Sequence, residues 1–185
     1  MKNSILLIFA ISLMFSSCSK SPRDQANDNI LAIEKQLTED TSMVLDKKVA
    51  MDLTGNYANF AENFPADSLA PHYLFKAGEM AMNLNMGSKS IMYFNKIVKQ
   101  YARYKKLPEA IFLMAFVYEN QMNNDKMATK LYKNFMNDFP NHILYKDAKA
   151  SLDNMGKSLE ELIKSFEEKQ IVKEGNMHEA AEQSL

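Results

Sequence analysis

The sequence predicts an all-α protein, built as a right-handed solenoid of about three antiparallel helix pairs with a capping helix at its C-terminal end. Two observations lead to this prediction. Apolar residues recur at helical spacing through most of the chain, in segments separated by short turns that hold Pro, Gly or Asn. The pattern also starts again, because the matching aromatic positions Tyr57, Phe94 and Tyr132 lie 37 and 38 residues apart. A regular period with two helices in each unit is typical of stacked helical repeats.

The stretch from Leu107 to Pro140 shows how one pair is recognised. Its first part contains an uncharged run, Ala110–Tyr118. Pro108 sits where a first-turn proline is tolerated and Glu109 suits the positive end of a helix dipole, so we interpret the run as helical. Apolar residues surround most of its axis, and the helix must therefore be covered on more than one side. The predicted pair consists of helix Leu107–Met122, a turn, and helix Lys126–Asp138 before Pro140.

The other helices are predicted from the same apolar spacing, ended by Pro or Gly. They begin near Asp28, Met43, Leu69, Ser90, Ile143 and Ser158. Gly55 lies inside the second of them and weakens it by about 1 kcal/mol relative to alanine. Gly156 stands where a C-terminal cap belongs, and the spacing of Ser158 and Glu161 is that of a capping box.

The repeated units also share residue types. The segment Tyr57–Pro65 matches Tyr132–Pro140 closely, and the small residues Ala77 and Ala115 occupy equivalent places in the preceding first helices. A small residue in the first helix, aromatic residues in the second and a following proline resemble the tetratricopeptide repeat. In this arrangement Ala77-Gly78 and Ala115 would let helix backbones approach closely.

The first eighteen residues are typical of a targeting segment. Lys2 is followed by the apolar run Ile5–Phe15, which is shorter than the ~20 residues that span a membrane. Small residues then precede Cys18, the single cysteine. This pattern resembles a bacterial lipoprotein signal, in which the cysteine becomes the lipidated first residue. With Ser19 after it, the resemblance implies the periplasmic face of the outer membrane. The alternative is a secretory signal with an incidental cysteine.

The predicted organisation has four parts. Residues 1–18 form the signal peptide ending at the lipidated Cys18, and residues 19–27 form a flexible tether. Residues 28–170 form the helical repeat domain, and residues 171–185, which lack a sustained apolar face, form a disordered tail.

The period, the Phe-Pro or Tyr after each second helix and the lipoprotein signal together resemble outer-membrane lipoproteins of the BamD (YfiO) type and their small Bacteroidota relatives. The resemblance covers residues 28–170 and implies a lipid-anchored scaffold whose protein partner is an outer-membrane β-barrel assembly complex. A fold does not define a function, so three alternatives stay open. They are a self-associating structural lipoprotein of the cell envelope or division machinery, a periplasmic hydrolase, and a nutrient-capture lipoprotein of the SusD type, for whose inserted binding region the chain has no room.

No motif predicts a catalytic residue, a metal site or a cofactor. His72, His142 and His178 lie far apart, without a second ligand at a metal-binding spacing. Gly156-Lys157-Ser158 echoes a phosphate-binding loop, but Ser151 replaces the required first glycine. The 22 basic and 23 acidic residues create no strong field for nucleic acid. We therefore expect a protein partner, with no enzymatic activity, small-molecule substrate or nucleic-acid ligand.

The first helices of such arrays line a concave groove. If Leu74, Ala77 and Ala81 face the core, helical geometry turns another set of side chains toward the groove. This predicted partner-binding set is Phe75, Glu79, Asn83, Leu113, Val117, Asn120 and Gln121. Phe75, Leu113 and Val117 are predicted to contact a helical or extended segment of the partner. Among the 14 methionines, those on apolar helix faces are expected to fill the core. Examples are Met80, Met114, Met122, Met127 and Met136.

Overall fold

The computed structural model describes residues 20–39 and 46–182, with side chains through residue 171 except that of residue 169. Within these ranges the backbone forms eight α-helices and no β-strand. The helices are α1 (Pro22–Glu39), α2 (Lys47–Asn63), α3 (Ala70–Asn83), α4 (Gly87–Gln100), α5 (Leu107–Asn120), α6 (Asp125–Asp138), α7 (Tyr145–Asn154) and α8 (Leu159–Glu182). The predicted all-α fold is confirmed. The predicted signal segment with Cys18 lies outside the described residues.

From α1 to α7, each helix packs against the next one in sequence. The chain therefore forms three consecutive pairs, α1/α2, α3/α4 and α5/α6, followed by α7 and α8, as an α-solenoid does. Helix α8 makes only sparse contacts with the other described helices. Its apolar side chains remain at least half exposed at Leu159, Ile163, Phe166 and Ile171.

The core consists of two groups of buried side chains that meet at α5. The first group joins α1 to α5, and the second joins α5 to α7. Ala77 and Ala115 are fully buried, one in each group. A Cβ atom added at Gly78 would lie 2.5 Å from the ring of Phe94. The predicted close approach of helices at these small residues is confirmed.

The N-terminal end of the domain differs from the prediction. Residues 22–27, expected in a flexible tether, belong to α1. The Ser21 hydroxyl accepts a hydrogen bond from the backbone N–H of Asp24 at 3.1 Å, and Pro22 stands at the first helical position. This cap starts the helix earlier than its apolar pattern does. The Arg23 guanidinium then holds α1 to Asp67, with Nε 2.8 Å from Oδ2.

The C-terminal end also differs, because α8 continues to Glu182 through most of the region expected to be disordered. The predicted capping box at its start is confirmed. Glu161 N–H donates to the Ser158 hydroxyl at 3.2 Å, and Ser158 N–H donates to the Glu161 carboxylate at 2.7 Å. Gly156 has a φ of 76°, as expected for the cap that ends α7.

None of the helices in the described ranges is long and apolar enough to cross a membrane.

Candidate functional site: a cavity between the first helices of two pairs

A cavity of about 470 Å³ lies between α3 and α5, the first helices of the second and third pairs. Its lining residues are Tyr57, Lys76, Glu79, Met80, Met82, Asn83 and Leu113. Lys76, Glu79, Met80 and Asn83 follow one another at intervals that place them on a single face of α3. Leu113 faces them from α5, and Tyr57 closes one side from α2. The cavity therefore brings together three predicted groove residues, Glu79, Asn83 and Leu113.

One wall of the cavity is held in place by the carboxylate of Glu34 on α1. Glu34 Oε1 accepts hydrogen bonds from Lys76 Nζ and from Tyr57 Oη, each at 2.7 Å. Burial opposes ionisation of Glu34, but these two hydrogen bonds outweigh it and hold the pKa of Glu34 below its ordinary value. Burial, and then the bond to Glu34, raise the pKa of Tyr57. Glu34 is thus ionised at neutral pH, and its hydrogen bonds with Lys76 and Tyr57 fix its orientation.

Glu79, on the same face of α3, has a different environment. Burial raises the pKa of its carboxyl group above the ordinary value, and the charges of Lys106 and Lys76 offset this only in part. Within the described ranges, the carboxylate forms no hydrogen bond or ion pair. The cavity wall therefore contains a half-buried carboxylate whose ionised form is not stabilised by a direct partner.

The prediction that Phe75 and Val117 line the groove is wrong. Phe75 is 2% exposed and Val117 is 0% exposed. The ring of Phe75 packs against Phe94, with centroids 5.6 Å apart, and against Tyr104 at 6.2 Å. A helix inside a solenoid contacts its own partner and both neighbouring pairs, so its buried arc is wider than one stripe. The sequence prediction places only one stripe of α3 in the core. It also leaves Val117 of α5 in the groove, although the apolar run around Val117 predicts that α5 is covered on more than one side.

Asn120 and Gln121 are not among the residues that line the cavity either. The Asn120 side chain is exposed, and its Nδ2 donates to the Phe116 carbonyl of the preceding turn at 3.0 Å. Gln121 Nε2 donates to the Met82 carbonyl at 2.9 Å and so connects the ends of α5 and α3. A Cβ atom added at Gly87 would lie 3.1 Å from Gln121 Oε1. Gln121 is therefore a contact between pairs within the solenoid.

The sequence interpretation missed four lining residues: Tyr57, Lys76, Met80 and Met82. The position of Lys76 in the cavity could have been predicted from the sequence. Lys76 lies three residues before Glu79 and seven before Asn83, a spacing that places all three on one face of a helix. Met80, which the apolar pattern predicts to lie in the core, does pack against the first core group and also borders the cavity. Tyr57 had no such signal, because its approach to α3 depends on how α2 packs. Of the other methionines expected in the core, Met114 is buried whereas Met122 is exposed.

A larger cavity of about 780 Å³ lies at another part of the surface, between the turn after α2 and the turn after α4. The Tyr101 hydroxyl donates to the Pro65 carbonyl at 3.0 Å between the same two turns. The cavity is lined mainly by turn residues, so it reflects how successive pairs meet. It contains none of the predicted groove residues.

The described residues contain no cluster of three or more His, Cys, Asp or Glu side chains that would hold a metal ion. His142 packs instead on the edge of Phe135, with ring centroids 5.5 Å apart. Its Nδ1 accepts a hydrogen bond from the Leu144 backbone N–H at 3.2 Å. His142 therefore acts in the turn between α6 and α7.

Residues 109–142 match the family model of the tetratricopeptide repeat. This segment contains nearly all of α5, all of α6 and the turn that follows. No curated protein matches the chain. Together with the order of helix pairs, the match defines the class: the chain carries a tetratricopeptide repeat in a tetratricopeptide-like solenoid. Arrays of such repeats present concave surfaces to other proteins, and the match therefore suggests an interaction scaffold with protein partners.

Proposed function

We propose that this protein is a lipid-anchored scaffold at the periplasmic face of the outer membrane, and that it binds a segment of a partner protein in the cavity between α3 and α5. The partner that we propose is a component of the outer-membrane β-barrel assembly machinery. The lipid anchor would keep the solenoid close to the membrane in which such a complex resides.

The cavity is the observation that carries the binding proposal. It lies between the first helices of adjacent pairs, and its wall combines apolar contacts from Leu113, Met80 and Met82 with the polar side chains of Asn83 and Glu79. Binding sites for helical or extended peptides commonly combine apolar pockets with a few polar groups in this way. Flexible methionine side chains also adapt to the shape of a partner.

The proposal of a lipid anchor rests on the N-terminal sequence. The basic start, the apolar run Ile5–Phe15 and the small residues before Cys18 resemble a lipoprotein signal. We expect wild-type cells to incorporate labelled fatty acid into the protein and Cys18→Ser cells to incorporate none. Equal labelling of both proteins would contradict the anchor.

Photo-crosslinking in living cells tests the binding site. A photoreactive amino acid at Asn83, an exposed cavity residue, is compared with the same probe at Lys133, an exposed residue on α6. We expect Asn83 to crosslink to a subunit of the β-barrel assembly complex and Lys133 not to do so. Mass spectrometry identifies the crosslinked protein.

The other outcomes of this experiment are equally informative. If Asn83 crosslinks to a different envelope protein, the cavity binds a partner but the assembly role is wrong. If crosslinks join two copies of this chain from Lys133 and none form at Asn83, the protein is a self-associating structural lipoprotein and the cavity is not its binding site.

A further inference from the structure

The carboxylate of Glu79 is the one described acidic group in the cavity wall between α3 and α5. It is half-buried and has no hydrogen-bond or ion-pair partner among the described residues. Carboxylates at such positions are usually paired, because removal of water from an unpaired charge is costly. Glu79 therefore provides a carboxyl group that is free to pair with a bound cationic group.

Two lysines, Lys76 and Lys106, have charges that act on Glu79, and each of them is in direct contact with a different group. Lys76 Nζ lies 2.7 Å from Glu34 Oε1, so its charge is already neutralised. Lys106 Nζ lies 4.5 Å from the centre of the Phe75 ring, in a cation–π contact. Neither ammonium group comes within ion-pair distance of Glu79. Their fields offset only part of the effect of burial on its pKa.

Tyr104 is a further polar group close to Glu79. The hydroxyl of Tyr104 is buried without a hydrogen-bond partner, and burial, then the charges of Glu79 and Glu109, raise the pKa of Tyr104 to about 12. Glu109 Oε2 is also buried without a partner. A cationic group with several N–H donors is complementary to such a site, whereas an anionic group is not.

The lining also places apolar side chains beside the Glu79 carboxylate. Leu113 faces α3 from α5, and Met80 borders the cavity one residue after Glu79. Lysine and arginine side chains combine an aliphatic stem with a charged head, so they match an apolar wall that leads to a carboxylate.

We propose that the cavity receives a lysine or arginine side chain of the partner segment, whose head pairs with Glu79 and whose stem packs against Leu113 and Met80. This inference rests on the proposed function, because it requires that the cavity bind a protein segment. It specifies the chemistry of that segment: a basic residue next to an apolar one.

Selection from random peptides displayed on phage tests the inference with the full chain purified in detergent. We expect the wild-type protein to select peptides enriched in lysine or arginine beside an apolar residue. For a selected peptide, Glu79→Gln should weaken binding roughly 10-fold, because a charge-assisted hydrogen bond is lost. Replacing the basic residue of the peptide by norleucine should have the same effect, and the two changes together should cost little more than either alone.

The controls separate this inference from the proposed function. Glu62→Gln makes the same chemical change at an exposed residue of α2 outside the cavity and should leave affinity unchanged. Leu113→Glu should abolish binding of every cavity-dependent peptide, and circular dichroism checks that each variant is folded. Peptide binding that is lost in Leu113→Glu supports the binding site. If those peptides are not enriched in lysine or arginine and bind Glu79→Gln as tightly as wild type, this inference is overturned and the binding site stands. If no selected peptide depends on Leu113, the proposed binding site itself is overturned.

Discussion

At the residue scale, Gly78 and Gly55 show how the surrounding atoms determine whether an added methyl group stabilises or destabilises a helix. A Cβ atom at Gly78 would lie within 2.8 Å of three atoms of the Phe94 ring, which is itself fully buried. A Cβ atom at Gly55, inside α2, would meet nothing within 4 Å. The same substitution therefore has opposite consequences at the two positions.

Gly78→Ala should destabilise the protein and Gly55→Ala should stabilise it. Alanine in a helix gains about 0.5–1 kcal/mol over glycine, which is the whole effect expected at Gly55. At Gly78, displacement of Phe94 in a packed core costs about 1–3 kcal/mol and exceeds that gain. Urea unfolding of both variants measures the difference. Shifts of the same sign would show that α3 and α4 do not approach as closely as described.

The burial of Glu79 predicts a dependence of stability on pH. Because its pKa is raised in the folded protein, the folded state binds its proton more tightly than the unfolded state does. The protonated Glu79 side chain therefore contributes to the free energy of unfolding below its unfolded pKa of about 4.5. This contribution is lost as the pH rises through the pKa of the folded protein. Glu79→Gln should therefore become more stable relative to wild type as the pH rises from 4 to 7, which thermal unfolding measures. A constant difference would mean that Glu79 is well solvated.

At the scale of a single element, α1 is attached differently from the helices that follow it. Ile30 is its one fully buried side chain among those described, and Ala26, Ile33 and Leu37 are only partly buried against the first core group. Polar contacts supply much of the remaining attachment: Arg23 to Asp67, Asn27 to the Tyr73 hydroxyl, and Glu34 to Tyr57 and Lys76. An element with little buried apolar surface opens more readily than the core helices do.

Glu34→Gln should increase the rate of amide hydrogen exchange in α1 and leave that of α4 unchanged. The amide keeps the shape of the carboxylate but loses its charge, so the bonds from Lys76 and Tyr57 weaken. Acid should loosen wild-type α1 in the same way. Because the pKa of Glu34 is lowered in the folded protein, its ionised form stabilises the folded state above about pH 4.5, the unfolded pKa. This stabilisation is lost as the pH falls through the pKa of the folded protein.

Glu39→Gln is the matched control for this prediction. Glu39 is an exposed residue of α1, and its one ion pair among the described residues is with Lys35 four residues earlier, at 3.6 Å. Exposed pairs of this kind contribute little, so exchange should stay at the wild-type rate. Equal acceleration of amide hydrogen exchange in α1 by both variants would show that Glu34 does not stabilise the packing of α1 against the rest of the solenoid.

At the scale of the whole molecule, the two core groups meet at α5 and divide the solenoid into two regions. Phe94 is fully buried in the first group and Phe135 in the second. Stability in a stacked array is approximately the sum of local terms and contacts between neighbours. A defect in one region therefore need not spread through the other.

Phe135→Ala should cost about 3–5 kcal/mol and act mainly on the C-terminal region. Hydrogen exchange measured by mass spectrometry should accelerate in α6 and α7, while α2 and α3 stay protected. Phe94→Ala is the comparison and should accelerate exchange in α3 and α4. Uniform acceleration by Phe135→Ala would show that the solenoid unfolds as a single cooperative unit.

The helix pairs were predictable because their signals are local. Apolar spacing, the Pro or Gly at helix ends and the recurrence of Tyr57, Phe94 and Tyr132 are all present in short stretches of sequence. All three aromatic residues are buried at equivalent places in successive pairs. The cap at Ser21 is also a local signal, but it precedes the apolar pattern of α1, and apolar spacing alone therefore predicts a tether there.

The sequence by itself therefore determined the all-α class, the repeat and the segment that matches a tetratricopeptide repeat. Only the tertiary structure decided which faces of α3 and α5 are covered. Leu113, Glu79 and Asn83 border the cavity, whereas Phe75 packs against Phe94 and Tyr104 and Val117 is fully buried. The physical reason is that helical periodicity specifies which residues share a face, but the number of neighbours around a helix depends on how the pairs stack.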